Sequence, residues 1–170
     1  MWVYIPNDGG EKEMPKIEFR ENKILKLTNV LSRKVPAGEI LNQDSQAQML
    51  MNWIKAKGYE TVGPLILYSS GVTGIDAENN PIIDSRIMVQ LRQSEIRLEI
   101  PYRFEKQVRI ENCLFARFQD KGEYLQYATN KLSLHAYEND RELTGETYIV
   151  LIESTEEKMT ADVFMPLKTL

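Results

Sequence analysis

Gly58-Tyr59-Glu60-Thr61-Val62-Gly63-Pro64-Leu65-Ile66-Leu67-Tyr68 and Asp140-Arg141-Glu142-Leu143-Thr144-Gly145-Glu146-Thr147-Tyr148-Ile149-Val150 are the two stretches whose comparison decides the fold. In this register Glu60 matches Glu142 and Gly63 matches Gly145. Each stretch follows a helical pattern and runs into an apolar strand. The first helix follows Pro36-Ala37-Gly38 and runs to about Lys57, with Ala47, Leu50, Met51 and Ile54 on its core face, Ile40 one turn earlier and Gly58 as its left-handed cap. The second covers about Glu123 to Glu138, with Leu125, Ala128, Leu132 and Ala136 on one stripe. Before them, Gly38-Glu39-Ile40 parallels Gly122-Glu123-Tyr124 with a two-residue shift.

The strands complete the repeat. Ile24 to Val35 reads as extended, with Leu25, Leu27 and Leu31 on one parity. Leu65 to Tyr68 is a short strand, and Ser69 to Pro81, rich in Gly, Asn and Asp, reads as a loop. Ile83, Ser85, Ile87, Val89 and Leu91 share one face of the next strand. The strongest alternation is Ile96, Leu98, Ile100, Tyr102 and Phe104 against charged neighbours, with Val108 and Ile110 continuing it. Leu114 to Phe118, Tyr148 to Ile152 and Met159 to Leu167 are further strands. Each half thus reads strand, helix, strand, strand. The expected fold class is α+β: duplicated halves, 24–92 and 95–167, forming one antiparallel sheet with two helices on one face. A ligand groove is expected on the sheet face away from the helices. Residues 1–23, with a strand at Trp2 to Ile5 and a turn at Pro6 to Gly10, form an N-terminal extension.

Composition narrows the function classes. The chain has 170 residues, 42% hydrophobic and 27% charged, with a net charge of -4. That length can bury a core without staples, and the balance disfavours nonspecific nucleic-acid binding. One cysteine, Cys113, permits no disulfide within the chain and reads as a small buried apolar residue. No secretory signal and no membrane-length apolar run is visible, so a cytoplasmic location is expected. His135 is the only histidine, which makes a poor metal site. No nucleophile with a partnered base is recognisable, so no catalytic residue, metal or cofactor is assigned. Gly71-Val72-Thr73-Gly74 lacks the Lys-Ser/Thr of a phosphate loop.

Four pieces carry a family resemblance: Trp53 to Glu60 leading into Val62-Gly63-Pro64 and Leu67-Tyr68; Ala116-Arg117-Phe118 running into Gly122-Glu123-Tyr124-Leu125; Thr144-Gly145 before an apolar strand; and the closing Asp162-Val163-Phe164-Met165-Pro166-Leu167. In this order the chain resembles the GyrI-like effector-binding domain over about Ile24 to Leu167. The resemblance implies two such halves around a central, aromatic-lined pocket for apolar or cationic small molecules. It also implies one buried carboxylate as counter-charge. In the family that glutamate falls in the strand after the second helix. Here Tyr148 to Ile152 contains no acid, and Glu146 and Glu153 stand only at its ends. The groove is therefore expected to lack a buried carboxylate, which argues against cation recognition and hydrolysis.

The candidate ligand-binding residues are Trp53, Tyr68, Tyr102 and Tyr148. The expected function is non-enzymatic binding of a mainly apolar small molecule between the halves, by a monomer or homodimer with no nucleic-acid or membrane partner. The alternative is a protein-interaction, accessory or inhibitor module with a closed groove and a protein partner. A hydrolase is a third reading, and Glu146 with Tyr148 is the one pair that could serve it.

Overall fold

The computed structural model describes residues 15–37 and 43–169. The extension before residue 15 and the Gly38-Glu39-Ile40 parallel lie outside the described residues. Six strands and two helices follow in the order β1 (Lys16–Lys34), α1 (Gln43–Ala56), β2 (Thr61–Ile75), β3 (Pro81–Leu91), β4 (Tyr102–Asp120), α2 (Gln126–Glu138), β5 (Thr147–Ser154) and β6 (Met159–Pro166). A 3-10 turn, Gly122–Tyr124, precedes α2.

The fold is α+β, and its antiparallel sheet closes into a barrel in the order β1-β3-β2-β5-β6-β4. Closure comes from β1 and β4. Each is 19 residues long, and they pair with each other from Lys16↔Gln119 to Arg33↔Tyr102. The end of β1 also pairs with β3, and the end of β4 with β6. Each long strand thus belongs to both halves, and the sheet has no way to stay open.

Two left-handed asparagines make this possible. Asn29 has φ 51° and Asn112 has φ 55°, a region asparagine tolerates better than most residues. Each shifts the alternation by one, so the strand changes which side it presents. Leu25 and Leu27 enter the barrel, whereas Leu31, of the same parity, packs under α1. Likewise Val108 and Ile110 face inward on even numbers, and Cys113 and Phe115 on odd ones. Glu21 to Lys23 form a further irregularity inside β1, with Asn22 at φ 54°.

Three further corrections have the same origin in pairing. The loop expected at Ser69 to Pro81 is mostly a two-stranded ribbon, since β2 and β3 keep pairing out to Ile75↔Pro81. Residues 95–101, the strongest alternation in the sequence, form no strand. They have no partner there, because β1 ends at Lys34, and Ile100 is 98% exposed. On α1 the buried residues are Gln46, Leu50 and Ile54, while Met51 is 39% exposed.

The barrel interior is filled by Leu25, Leu27, Val30, Ile66, Met88, Val108, Cys113, Phe115, Tyr148 and Phe164. Outside it, α2 packs Ala128, Leu132 and Ala136 on Leu114, Ala116, Phe118, Val163 and Met165. The other helix, α1, packs Leu50 and Ile54 on Leu31, Ile87, Val89 and Leu91. The duplication is visible in the backbone: Gly58 and Asp140 both have positive φ (75° and 52°), as do Gly63 and Gly145 (80° and 96°). No helix among the described residues is long and apolar enough to cross a membrane.

Candidate functional site

The halves meet where β2 pairs β5, through Ile66↔Val150, Leu67↔Ile149, Tyr68↔Tyr148 and Ser69↔Thr147. Side chains on a strand alternate between faces. Leu67, Ser69, Thr147 and Ile149 therefore face the helices, and Ile66, Tyr68, Tyr148 and Val150 face the barrel.

On the helix side lies a half-open cleft of about 240 Å³, lined by Val35, Gln43, Leu67, Tyr68, Ser69, Ile83, Ser85, Arg86, Ile87, Thr147 and Ile149. The groove was expected on the opposite face. Barrel closure turns that face inward and fills it with side chains.

On the barrel side, Tyr68 and Tyr148 do come together, with ring centroids 5.0 Å apart. Glu146 joins them: the Tyr68 hydroxyl donates to its Oε1 at 2.9 Å. Gly145, at φ 96°, sets the chain direction just before this residue. The carboxylate at the aromatic pair is thus Glu146, from the start of the strand, and it is half-buried. Beside Tyr68, buried Arg86 pairs with Asp84 at 3.2 Å and reaches Ser32 Oγ at 3.5 Å. The Asp84 Oδ1 atom is buried without a hydrogen bond.

Trp53 and Tyr102 are also together, but in a different cluster. They stack at 4.3 Å beneath α1, with Tyr59 5.9 Å from Trp53. The four aromatic candidates therefore form two pairs in separate apolar clusters. His135, on α2, contacts Glu21 at 2.6 Å and lies tilted against Phe19 with ring centroids 4.4 Å apart, tying the helix to β1. Among the described residues no cluster of His, Cys, Asp or Glu could hold a metal. Cys113 is fully buried, and burial pushes its thiol up to about 11.

No protein-family model and no curated protein matches the chain. Solved structures do. The EcmrR–DNA complex aligns at 14% identity and a TM-score of 0.64, over 92% of this chain and 58% of that one. The isolated EcmrR C-terminal domain aligns at 11% identity and a TM-score of 0.59, over 93% and 100%. The fold is that of the EcmrR C-terminal domain. It is also the fold that the resemblance to GyrI-like effector-binding domains implies. A hydrolase from Listeria innocua aligns at 12% identity over 90% of this chain and 92% of that one, with a TM-score of 0.47. That similarity is too low to carry an argument.

The sequence did not single out Arg86, Asp84 or the cleft residues Leu67, Ile83, Ile87 and Ile149. Arg86 and Asp84 lie on the polar parity of β3, which in an open sheet would face solvent. Arg86 on β3, opposite Tyr68, and Asp162 on β6, opposite Val150, are both buried. Asp162 is held by a two-pronged Arg117 bond, 2.8 Å on each prong.

Burial raises both pocket phenols above the ordinary tyrosine value near 10. For Tyr68 the Glu146 hydrogen bond adds to this, and for Tyr148 the Glu146 charge does. The folded state then holds these protons more tightly than the unfolded state. Their contribution to stability is intact below about pH 10 and is lost as pH climbs through the raised values. An alkaline titration followed by tyrosinate absorbance should show Tyr68 and Tyr148 lagging until the protein unfolds. Tyr68→Phe should leave one. A titration without that lag would mean that the pair is open to water.

Proposed function

We propose that this chain is a ligand-binding domain that holds a small, mainly apolar molecule in the cleft between its two halves and does not convert it. The observation that carries the reading is the cleft itself, at the seam of the duplication over the β2–β5 pair. Its apolar floor is Leu67, Ile83, Ile87 and Ile149, with the hydroxyls of Ser69, Ser85 and Thr147 to orient a ligand. At about 240 Å³ it lies just below the usual range for such sites and suits a small ligand. The fold shared with the EcmrR C-terminal domain supports a ligand-binding reading. The Tyr68 phenol, bonded to Glu146 with its pKa raised, is a weak candidate for a nucleophile, which favours binding over hydrolysis.

Native mass spectrometry of gently purified protein tests this. The expected result is a small-molecule adduct that vanishes on denaturation. It should also be missing from Thr147→Trp, whose indole would fill the cleft, while that variant keeps its melting temperature within about 4 °C. Bare protein, with no thermal shift from a panel of apolar compounds, would overturn the reading.

A second reading has its own support. Val72, Ile75 and Ile82 on the β2–β3 ribbon are 65%, 64% and 47% exposed, as expected of a module that meets a protein partner.

A further inference from the structure

The geometry points to a second binding site, on the flank of α1, for a carboxylate carried on an apolar body, with the Arg33 guanidinium as its receptor. The site is independent of the cleft reading. Arg33 sits on β1 opposite Tyr102 of β4. Its Nε donates to buried Gln46 Oε1 at 3.3 Å, one terminal nitrogen to the Tyr102 hydroxyl at 3.2 Å, and the other to Met49 Sδ at 3.7 Å. Its carbon lies 5.4 Å from the centre of the Tyr102 ring.

All of these partners are neutral. Among the described residues no carboxylate lies within 4.0 Å of Arg33, nor of Arg97, Arg103 or Arg141, whereas Arg20, Arg86, Arg92, Arg109 and Arg117 each have one. A guanidinium has five N–H donors. Three are used, so one hydrogen on each terminal nitrogen is left, the number a carboxylate accepts in two-pronged fashion. The group is therefore fixed in place while its charge remains unmatched. Orienting such a side chain is a large part of the cost of binding an anion, and here the fold has already met it.

The surroundings select the rest of the ligand. Met49 is 48% exposed, and next to it the Tyr102 ring lies stacked on Trp53. Lys57 stands 5.7 Å over the Trp53 ring, with its charge answered by Glu99. An aryl or branched alkyl group attached to the carboxylate would cover Met49 and the Tyr102 edge. A bare inorganic anion would gain nothing from them. The source could be a free acid or the C-terminus of a peptide, which share this chemistry.

Titration of the full chain with benzoate, benzamide, N-acetyl-leucine and N-acetyl-leucinamide tests the site. The readouts are the side-chain Nε–H resonance of Arg33 and the indole N–H resonance of Trp53. Both carboxylates should shift both resonances saturably, with dissociation constants on the order of millimolar. The two amides should not. Benzoate binding tighter than N-acetyl-leucine marks a free aryl acid as the fitted source, and the reverse order marks a peptide terminus. Arg33→Lys should weaken binding about fivefold or more, because a point charge replaces the fork. Arg33→Gln should abolish the Trp53 shift. Equal shifts from acid and amide would overturn the proposal, as would a Trp53 shift that survives Arg33→Gln or one that never saturates. Thr147→Trp should leave these titrations unchanged, which separates this site from the cleft.

Discussion

Phe118→Ala should destabilise the protein by about 3–5 kcal/mol, with a fall in melting temperature of about 6–20 °C. Phe118 has no exposed surface and is among the largest fully buried side chains. It sits on β4 between Ile17 of β1 and Ala161 of β6, in the cluster that receives Ala128 and Leu132 of α2. The strands around it are pinned by main-chain bonds on both sides, so the space left by the ring cannot collapse. Urea unfolding followed by circular dichroism would measure the loss, with the slope unchanged. Tyr137→Ala on the outer side of α2, where the ring is 81% exposed, should stay within about 0.5 kcal/mol of the parent. A loss below about 1.5 kcal/mol for Phe118→Ala would mean that α2 does not seal this part of the barrel.

Gly71→Val should cost about 2–4 kcal/mol for a different reason. A Cβ at Gly71 would lie 2.8 Å from the Gly145 carbonyl oxygen and 3.3 Å from two further main-chain atoms. Main chain cannot swing aside as a side-chain tip does. The residue also has φ +73°, where a β-branched side chain is a genuine outlier. Gly58 separates the two contributions. Its φ is +75°, but nothing lies within 4 Å of an added Cβ, so Gly58→Ala should cost only about 1 kcal/mol of backbone strain. Gly71→Val should also move Glu146, the residue after Gly145, away from Tyr68. The alkaline titration would then show a smaller Tyr68 lag, because the contribution of Glu146 would go while that of burial stayed. Retention of the full lag with near-parent stability would show that β2 and the start of β5 are not in contact.

The parts of this structure legible in the sequence are those where one face meets one core. Ile83 to Leu91 and Met159 to Leu167 alternate without interruption, and their odd-numbered residues do line the helix side. The stripe Leu125, Ala128, Leu132, Ala136 is the buried face of the second helical segment. Barrel closure was not legible. It depends on Asn22, Asn29 and Asn112 taking left-handed conformations inside long strands, and an asparagine in sequence reads equally well as a turn. Residues 95–101 failed in the opposite sense, with perfect alternation and no neighbouring strand to pair with. Periodicity reports which face would be buried, and only topology supplies the partner. Tyr68 and Tyr148 stand in equivalent strands of the repeat, and the pairing of β2 with β5 that brings them together is a property of the fold. Glu146 was visible at the strand end, but its hydrogen bond to Tyr68 depends on the direction set at Gly145.

The exchange of β1 and β4 between halves has a consequence for how the chain could be divided. Residues 15–92 would carry a strand whose first segment has its partner only in β4, and residues 95–169 would carry one whose first segment has its partner only in β1. Neither piece can satisfy its own main chain. Each presents an uncapped edge that the other fits. Cleavage in the exposed connection between Ser94 and Leu98 would therefore give two fragments built for complementation, each acting as template for the other. Two copies of either one could pair in the same arrangement, as a homodimer in place of a duplicated chain.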